Sequence, residues 1–396
     1  MNLFVLPSWY PSAAQPVAGL FVREQVAAVA HQRPAWNVVV GHWGGHDGAL
    51  SLRDAGASLR ALRWRAAASS GWHEAAGWHE MLTPKLSWTL GLAGGGAAGL
   101  LSASRRNLQA TQQRFGAVSL IHAHVGFPAG WIASRLAAET SLPYVLTEHM
   151  SPFPTAALLR DSRPTPALRQ AFDNAAATVA VSPALAARIR SFGLPCSDVI
   201  ANVVDETRFV VSTRPAPEPF VWLTLGALTA QKGVDVLLRA FAAAALPPQV
   251  ELHVAGDGPQ RAALHALADE LRLAGRVRWL GAIAPAAVPA LMASCHAFVL
   301  ASRHETFGVV LAEALMSGKP LLATRCGGPE FIVTGGNGRL VPPGDVQALA
   351  VAMQQMHAGA SAFDPVTLRN DALLRFSRGA VAGQLVALYE RVLASR

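Results

Sequence analysis

Short apolar runs alternate with longer Ala/Leu-rich stretches along almost the whole chain. That alternation constrains the fold more than any other feature of the sequence. Runs of four to six apolar residues suit strands covered on both faces, and the longer stretches suit the helices that cross between parallel strands. In the first half, strands are expected at 3–6, 38–40, 119–122, 144–147 and 178–181, with helices at 21–31, 129–140 and 183–191. In the second half, strands are expected at 220–225, 250–255, 277–280, 297–300, 320–323 and 339–341. Helices there are expected at 234–245, 260–273, 287–294, 309–317 and 346–356. Between the two series, Arg214-Pro215-Ala216-Pro217-Glu218-Pro219 carries three prolines in six residues and reads as a stiff linker.

The expected architecture is therefore α/β, with two Rossmann-like doubly wound domains facing across a cleft. The first domain takes 1–205, the linker 206–219 and the second domain 220–379. A last helix, at 380–396, is free to pack back on the first. At about 100–200 residues per domain, 396 residues carry two such cores. Doubly wound sheets bind ligands beyond the carboxyl ends of their strands, so the cleft is the natural site.

Hydrophobic residues make up 52% and charged residues 15%, which excludes a disordered chain, collagen and a coiled coil. The formal charge of +8 favours anionic partners. The basic residues are scattered, without the run or zinc-finger pattern of a nucleic-acid binder, so nucleic acid is not expected. Cys196, Cys295 and Cys326 are odd in number and far apart, which reads as free thiols in a reducing cytosol. The N-terminal MNLFVLPSWYPS lacks a basic leader and reads as a first strand rather than a signal peptide.

Leu86 to Ser104 has the length of a membrane span and no charge, but its Gly and Ala contribute little transfer energy. A packed Ala/Gly-rich helix is the expected reading. Arg60, Arg63, Trp64 and Arg65, with Trp72, Trp78 and Trp88 beyond, suit attachment to an anionic membrane surface. GWHE occurs at Gly71–Glu74 and again at Gly77–Glu80, a local recurrence rather than a repeat architecture.

Four segments could carry chemistry. Gly226 to Asp235, GALTAQKGVD, joins a strand to a helix, and such a turn presents free backbone N–H groups beside the Lys232 ammonium. It is equally compatible with a plain βα turn and a solvated lysine; it is not a Walker A loop. Ser302 to Ala314, SRHETFGVVLAEA, sets Glu305 in a loop and Glu313 inside the following helix, with Phe307, Gly308, Val309 and Val310 offering N–H groups to a phosphate. The alternative is an ordinary helix start with acidic residues. His149 in YVLTEHM follows a strand end, where either a ligand contact or a hydrogen-bonded structural histidine fits. In SWYPSAAQPVAGLFVREQ, Gly19 allows a loop to approach a phosphate closely, or is an ordinary turn. His122 and His124 alternate on a strand and share a face. There is no HExxH, no Asp-x-Asp pair and no GxSxG, so neither a metal nor a hydrolase triad is assigned.

Together these segments resemble the retaining glycosyltransferases of family 4, which have the GT-B fold. The resemblance rests on Glu305 and Glu313 in a Glu–seven residues–Glu motif, with Lys232-Gly233, Gly256-Asp257-Gly258-Pro259 and Ile200-Ala201-Asn202-Val203-Val204-Asp205. Gly327-Gly328-Pro329-Glu330 and the stretch from Asn337 to Asp345 complete it. It implies a UDP- or GDP-sugar donor, used as substrate with no cofactor and no metal. Glu305 would contact the sugar hydroxyls, Glu313 the ribose, and Lys232, Gly226 and the N–H groups near Phe307–Val310 the diphosphate. The base would lie against backbone near Ile283, Gly19 would approach the diphosphate, and His149 the sugar. Glu305, His149 and Lys232 would carry catalysis.

The resemblance further implies transfer of a hexose to a glycan or lipid-linked acceptor on the first domain. The setting would be cell-surface polysaccharide or glycolipid synthesis at the cytosolic membrane face. One position departs from the family: Ala227 stands where an arginine is usual, with Arg23 or Arg303 as candidate replacements. That departure also suits a weakly active sugar-nucleotide-binding subunit. A third reading is an epimerase acting on the sugar nucleotide itself.

Overall fold

The apolar runs become strands whose ends lie within one or two residues of the expected positions. The structure, a computed structural model, describes residues 1–12, 14–51, 54–88, 96–212 and 218–395. In chain order the first part contains β1 (Asn2–Pro7), α1 (Leu20–Gln32), β2 (Asn37–His42), β3 (Ala49–Leu50), α2 (Ala55–Ala67), β4 (Gly71–Glu74), β5 (His79–Leu82), β6 (Ser87–Trp88), α3 (Ala97–Phe115) and β7 (Leu120–His124). It continues with α4 (Trp131–Thr140), β8 (Tyr144–Glu148), β9 (Leu159–Arg160), β10 (Arg163–Pro164), α5 (Pro166–Asp173), β11 (Ala177–Ala180), α6 (Pro183–Ser191) and β12 (Asp198–Val199). The second part contains β13 (Val221–Leu225), α7 (Val234–Ala243), β14 (Glu251–Ala255), α8 (Arg261–Glu270), β15 (Val277–Gly281), α9 (Val288–Ala293) and β16 (Ala297–Leu300). It ends with α10 (Val309–Met316), β17 (Leu321–Thr324), α11 (Pro329–Ile332), β18 (Gly338–Val341), α12 (Val346–Ala358), α13 (Pro365–Phe376) and the final helix α14 (Arg378–Ala394).

The chain forms two units: Met1–Val203 with Arg378–Arg396, and Val204–Ser377. In the first, the sheet runs β12-β11-β8-β7-β1-β2-β5-β4, parallel throughout except for the β4–β5 hairpin. That hairpin is made by the first GWHE and by HEML, which begins inside the second copy, and their polar content does not mark them as strands. Strand order reverses between β1 and β7. Phe4, Val38, Val39, Ile121 and Val145 fill the middle of the sheet and are buried completely. Helix α14 joins this unit: its Tyr389 is 1% exposed and its Glu390 pairs with Arg33 of α1 at 3.2 Å.

In the second unit the sheet is wholly parallel, in the order β15-β14-β13-β16-β17-β18. Strand order reverses between β13 and β16. Trp222, Leu237, Phe241, Leu252, Val299 and Met353 form its core without measurable exposure. Each such side chain contributes roughly 1.5–3 kcal/mol relative to exposure. Residues 206–212, read from sequence as the start of the linker, belong to this unit: Arg369 donates to the carbonyls of Glu206 and Phe209, and Phe209 is 1% exposed. The prolines at 215 and 217 lie outside the described residues.

The membrane-span candidate is only partly described, since 89–95 lie outside the described residues. Its second half belongs to α3, which buries Leu100, Leu101, Leu108 and a polar stripe of Ser104, Asn107 and Thr111 against the sheet. No described helix is long and apolar enough to cross a membrane. The tryptophans of the basic segment sit in different surroundings. Trp72 packs edge-on to Phe115 with Arg114 over its ring, Trp78 donates to Glu80, and Trp64 rests on glycine backbone, whereas Trp88 is 44% exposed.

Candidate functional site

Five loops follow the carboxyl ends of β15, β14, β13, β16 and β17, which are neighbours in the second sheet. In a doubly wound sheet the loops on either side of the order reversal diverge and leave a crevice. Lys232 comes from the loop after β13 and Glu305 from the loop after β16, the two strands at that reversal. Their side chains meet there: Lys232 Nζ lies 2.5 Å from Glu305 Oε1, and Ser302 Oγ donates to the same oxygen at 2.7 Å. Glu305 Oε2 takes no hydrogen bond from any described residue. The Glu305 side chain is buried, 7% exposed, among polar partners, and that of Lys232 is 24% exposed.

The backbone of Glu305 is pinned on both sides. Its N–H donates to the Cys326 carbonyl at 3.2 Å, and its own carbonyl accepts from Gly328 at 2.8 Å. Gly328 has to be glycine, because a Cβ there would lie 2.4 Å from the Phe307 backbone. Phe307 in turn is buried between Phe331 and Phe376 in edge-on contacts. Phe307 is thus an anchor that fixes the loop, and whatever it offers a ligand comes from its backbone.

Some helix starts carry a side-chain cap, whereas others, α3 at Gly96 among them, begin at a left-handed glycine. Ser182, Asp345 and Asp364 cap α6, α12 and α13 with side-chain hydrogen bonds. The helices α1, α7 and α10 instead begin at Gly19, Gly233 and Gly308, with φ of 68°, 63° and 88° and no side-chain cap. A left-handed glycine turns the chain sharply without covering the first N–H groups, which keeps them open to an anion. The N–H groups of Val309 and Val310 find no acceptor among the described residues. Glu313 lies on the second turn of α10, half-buried. Gly226 packs under the Lys232 stem, with a Cβ there falling 3.6 Å from Lys232 Cε. The tight backbone contact belongs to Gly256, where a Cβ would lie 1.8 Å from the Gly226 carbonyl oxygen. Ile283 follows Gly281 in the loop after β15, half-buried, and no described residue takes its N–H or its carbonyl.

Arg303 is not a free cation in place of the arginine missing at 227. It holds Asp235 through both nitrogens, at 2.9 and 2.7 Å. The hydrogen bond to Asp235 raises the guanidinium pKa further, and the carboxyl of Asp235 is held down by the same bond.

The first-unit candidates are arranged differently. Gly19 is required by packing: a Cβ would lie 2.1 Å from the Trp9 carbonyl oxygen. His149 is 7% exposed, its ring 4.2 Å from Phe21, and its Nε2 shares a hydrogen bond with His124 Nδ1 at 3.1 Å. His124 lies against His122 with ring centroids 4.1 Å apart, and His122 bonds Thr147 Oγ1 at 2.8 Å and the Tyr389 hydroxyl at 2.7 Å. Burial lowers all three imidazoles, His122 and His149 to about 3 and His124 well below its ordinary value, so each is neutral at pH 7. The His149 ring is thus uncharged, with its Nε2 engaged by His124.

Sequence reasoning finds that His122 and His124 share a strand face, but it misses Tyr389, which α14 brings in from 267 residues away. It also passes over Glu148. This carboxylate is fully buried and accepts from the N–H groups of Gly126, His149 and Met150 at 2.8–2.9 Å, tying together the loops after β7 and β8. Burial raises its pKa against the pull of those three donors. A glutamate at the last position of a buried strand was the available signal. Among the described residues, no group of three His, Cys, Asp or Glu side chains is set to hold a metal ion.

Residues 219–358 match the family described as "Glycosyl transferases group 1", and residues 88–208 match "Glycosyltransferase Family 4". The chain is 33% identical over 237 residues to the lipopolysaccharide core biosynthesis glycosyltransferase LpsE of Rhizobium meliloti, covering 57% of this chain and 66% of that protein. It is 34% identical over 172 residues to the glycogen synthase of Mycobacterium tuberculosis, covering 41% and 40%. The chain therefore spans just under two thirds of the first relative and less than half of the second. Among solved structures, sucrose-phosphate synthase of Thermosynechococcus elongatus superposes with a TM-score of 0.74 at 20% identity over all of both chains. HepE of Anabaena, solved with UDP-glucose, superposes with a TM-score of 0.70 at 22% identity, over 99% of this chain and 100% of that one. Two family matches in series, one in each unit, with the GT-B fold in both of these neighbours, place this chain in the glycosyltransferases of family 4.

Proposed function

We propose that the protein is a retaining, metal-independent hexosyltransferase that uses a UDP- or GDP-sugar. The observation that carries this reading is the Lys232–Glu305 pair at the order reversal of the second sheet. Breaking a glycosyl–phosphate bond puts positive charge on the anomeric carbon and negative charge on the departing diphosphate. Fixed cations and uncovered N–H groups stabilise the second charge without reorganising. Lys232 and the open start of α10 supply those groups, the free Oε2 of Glu305 accepts hydrogen bonds from sugar hydroxyls, Glu313 takes the ribose, and the backbone at Ile283 meets the base. Gly19 and His149 are assigned to the diphosphate and the sugar on family resemblance. In the retaining reaction the acceptor oxygen attacks from the side the diphosphate leaves, and its proton passes to a departing phosphate oxygen. The relatives named for lipopolysaccharide core synthesis, and the neighbour solved with UDP-glucose, support a nucleotide-sugar donor and a surface glycan or lipid-linked acceptor.

A thermal-shift panel of UDP, GDP and their sugars tests the donor. A ligand at 100 times its Kd adds about 2.7 kcal/mol of stability. Donor hydrolysis that disappears in Glu305→Ala supports transfer, and no shift with any nucleotide rejects the reading. The second reading, a sugar-nucleotide-binding subunit without turnover, is favoured by Ala227 together with the commitment of Arg303 to Asp235. It predicts donor binding with no hydrolysis in the wild type.

The same proposal includes work at the cytosolic face of an anionic membrane. Helix α2 supports it: only Ala61 is buried, Leu59 and Leu62 are 49% and 50% exposed, and Arg60, Arg63 and Arg65 flank them. Such a helix suits the headgroup region. Co-sedimentation with anionic vesicles that persists unchanged in Leu59→Ser/Leu62→Ser/Arg63→Ser would remove this part.

A further inference from the structure

Within the first unit, a cavity of about 320 Å³ opens beyond the carboxyl ends of β1, β2 and β5, lined by residues to which neither the donor nor the catalytic step has been assigned. Two aromatic rings, two carboxylates and two imidazoles border it: Tyr10, Trp64, Asp47, Glu80, His42 and His73. Among the described residues, no lysine or arginine does.

The lining is held in place by its neighbours. Trp64 lies one helical turn beyond the buried Ala61 of α2, and its ring rests on glycine backbone. A Cβ at Gly44 would fall 2.1 Å from Cη2, and one at Gly48 would fall 3.0 Å from Cζ3. Those two glycines leave room for a flat indole wall. Tyr10 packs against His42 with ring centroids 5.2 Å apart. Glu80 Oε1 accepts from the Tyr10 hydroxyl at 2.6 Å and from Trp78 Nε1 at 3.0 Å, while no described residue donates to Oε2. Asp47 Oδ1 accepts from Ser12 Oγ at 2.8 Å, and its Oδ2 is likewise open. Burial lowers His42 to about 4, so at neutral pH its ring is uncharged and offers one donor and one acceptor.

Such a lining fits a sugar ring. The apolar C–H face of a pyranose packs on an indole or phenol, and its hydroxyls donate to carboxylates that keep a free oxygen. A phosphate or a uronate would instead meet two carboxylates with no lysine or arginine among the described lining residues, and juxtaposed like charges repel. We propose that this cavity is an acceptor subsite that takes a pyranose unit without phosphate or carboxylate groups. Its role in receiving the acceptor rests on the transferase reading above; its selectivity for uncharged or amino sugars does not.

Saturation-transfer NMR on the full chain tests it with methyl α-glucopyranoside, glucosamine, glucose 6-phosphate and glucuronate as probes. The first two are expected to give signal and the two anions at least tenfold less. Trp64→Ala is expected to abolish the signal. Asp47→Asn/Glu80→Gln, which keeps shape and removes both charges, is expected to raise glucose 6-phosphate to the level of the neutral probe; this pair carries the test if Trp64→Ala does not fold. Equal signal from wild type and Trp64→Ala, a preference for an anionic probe in the wild type, or an unchanged preference in the double variant would overturn the proposal. UDP and GDP thermal shifts on the same proteins are read separately. Loss of every nucleotide shift with sugar selectivity intact sinks only the donor reading.

Discussion

The carboxyl edges of the two sheets use the same backbone logic with opposite electrostatics. In the second unit the order reversal holds an ion pair, a part-exposed Lys232 and a buried Glu305 with one carboxylate oxygen open. In the first unit the residues around the reversal are buried: three imidazoles lowered by burial and so uncharged at pH 7, a tyrosine hydroxyl, and the Glu148 carboxyl, raised by burial and held by three backbone N–H groups. The difference teaches that a doubly wound sheet fixes where a ligand goes, whereas the side chains beyond its strands decide the ligand's charge. One edge sets an ion pair beside uncapped helix starts; the other orders its loops with buried hydrogen bonds.

The contrast is open to attack, most strongly through pH. An imidazole lowered in the folded state adds stability that is fully present above about pH 6.5, the unfolded value, and is lost as pH falls toward the folded value. Between pH 6.5 and 5, His122 and His149 should each withdraw about 2 kcal/mol, with His124 adding in the same direction. Urea unfolding across this range should show a slope of two to three protons, and His122→Phe should reduce it by about one. A stability that is flat from pH 7 to 5 would mean that the imidazoles of the first edge are not neutral and buried.

Next in size is the charged edge. Lys232→Ala should slow donor hydrolysis by about 10²–10³-fold, comparable with removing a preorganised donor at an oxyanion. Equal loss in His149→Ala and Lys232→Ala at saturating donor would erase the proposed division of roles.

A smaller effect belongs to the backbone that shapes each edge. Gly19→Ala and Gly256→Ala both force a side chain onto a positive φ, 68° and 134°, against a carbonyl oxygen. Each should cost about 1–3 kcal/mol in denaturant melts. The smallest effect is expected at Arg303→Ala. Its pair with Asp235 is exposed, 43% and 37%, and should be worth about 0.2–1 kcal/mol with little change in donor affinity. A large loss of donor binding in Arg303→Ala would show that this arginine does replace the one missing at 227.

Much of this was legible in the residues. Parallel strands buried on both faces need continuous apolar runs, so β13, β16 and β17 announce themselves as VWLTL, AFVL and LLAT. The β4–β5 hairpin did not, because GWHE and HEML carry too many polar residues to read as strands; it forms because β5 pairs with β2 and supports β4 in turn. Glu305, Lys232 and the glycines were found from local order, since each lies a few residues past a strand end. The contact of the Trp64 ring with Gly44 and Gly48 was not legible, because an indole looks the same in sequence whatever its ring faces.

Period and local composition alone determined the two α/β series, the place of the loops beyond the strands, and the glycines that open α1, α7 and α10. These depend on interactions within a few residues, which the order of side chains encodes directly. Tertiary structure alone decided that Tyr389 closes the histidine chain, that Arg303 is spent on Asp235, and that Glu305 grips Lys232 across 73 residues. Such partnerships depend on which strands become neighbours, and the energy that settles neighbours is spread over the whole core rather than written at any one position.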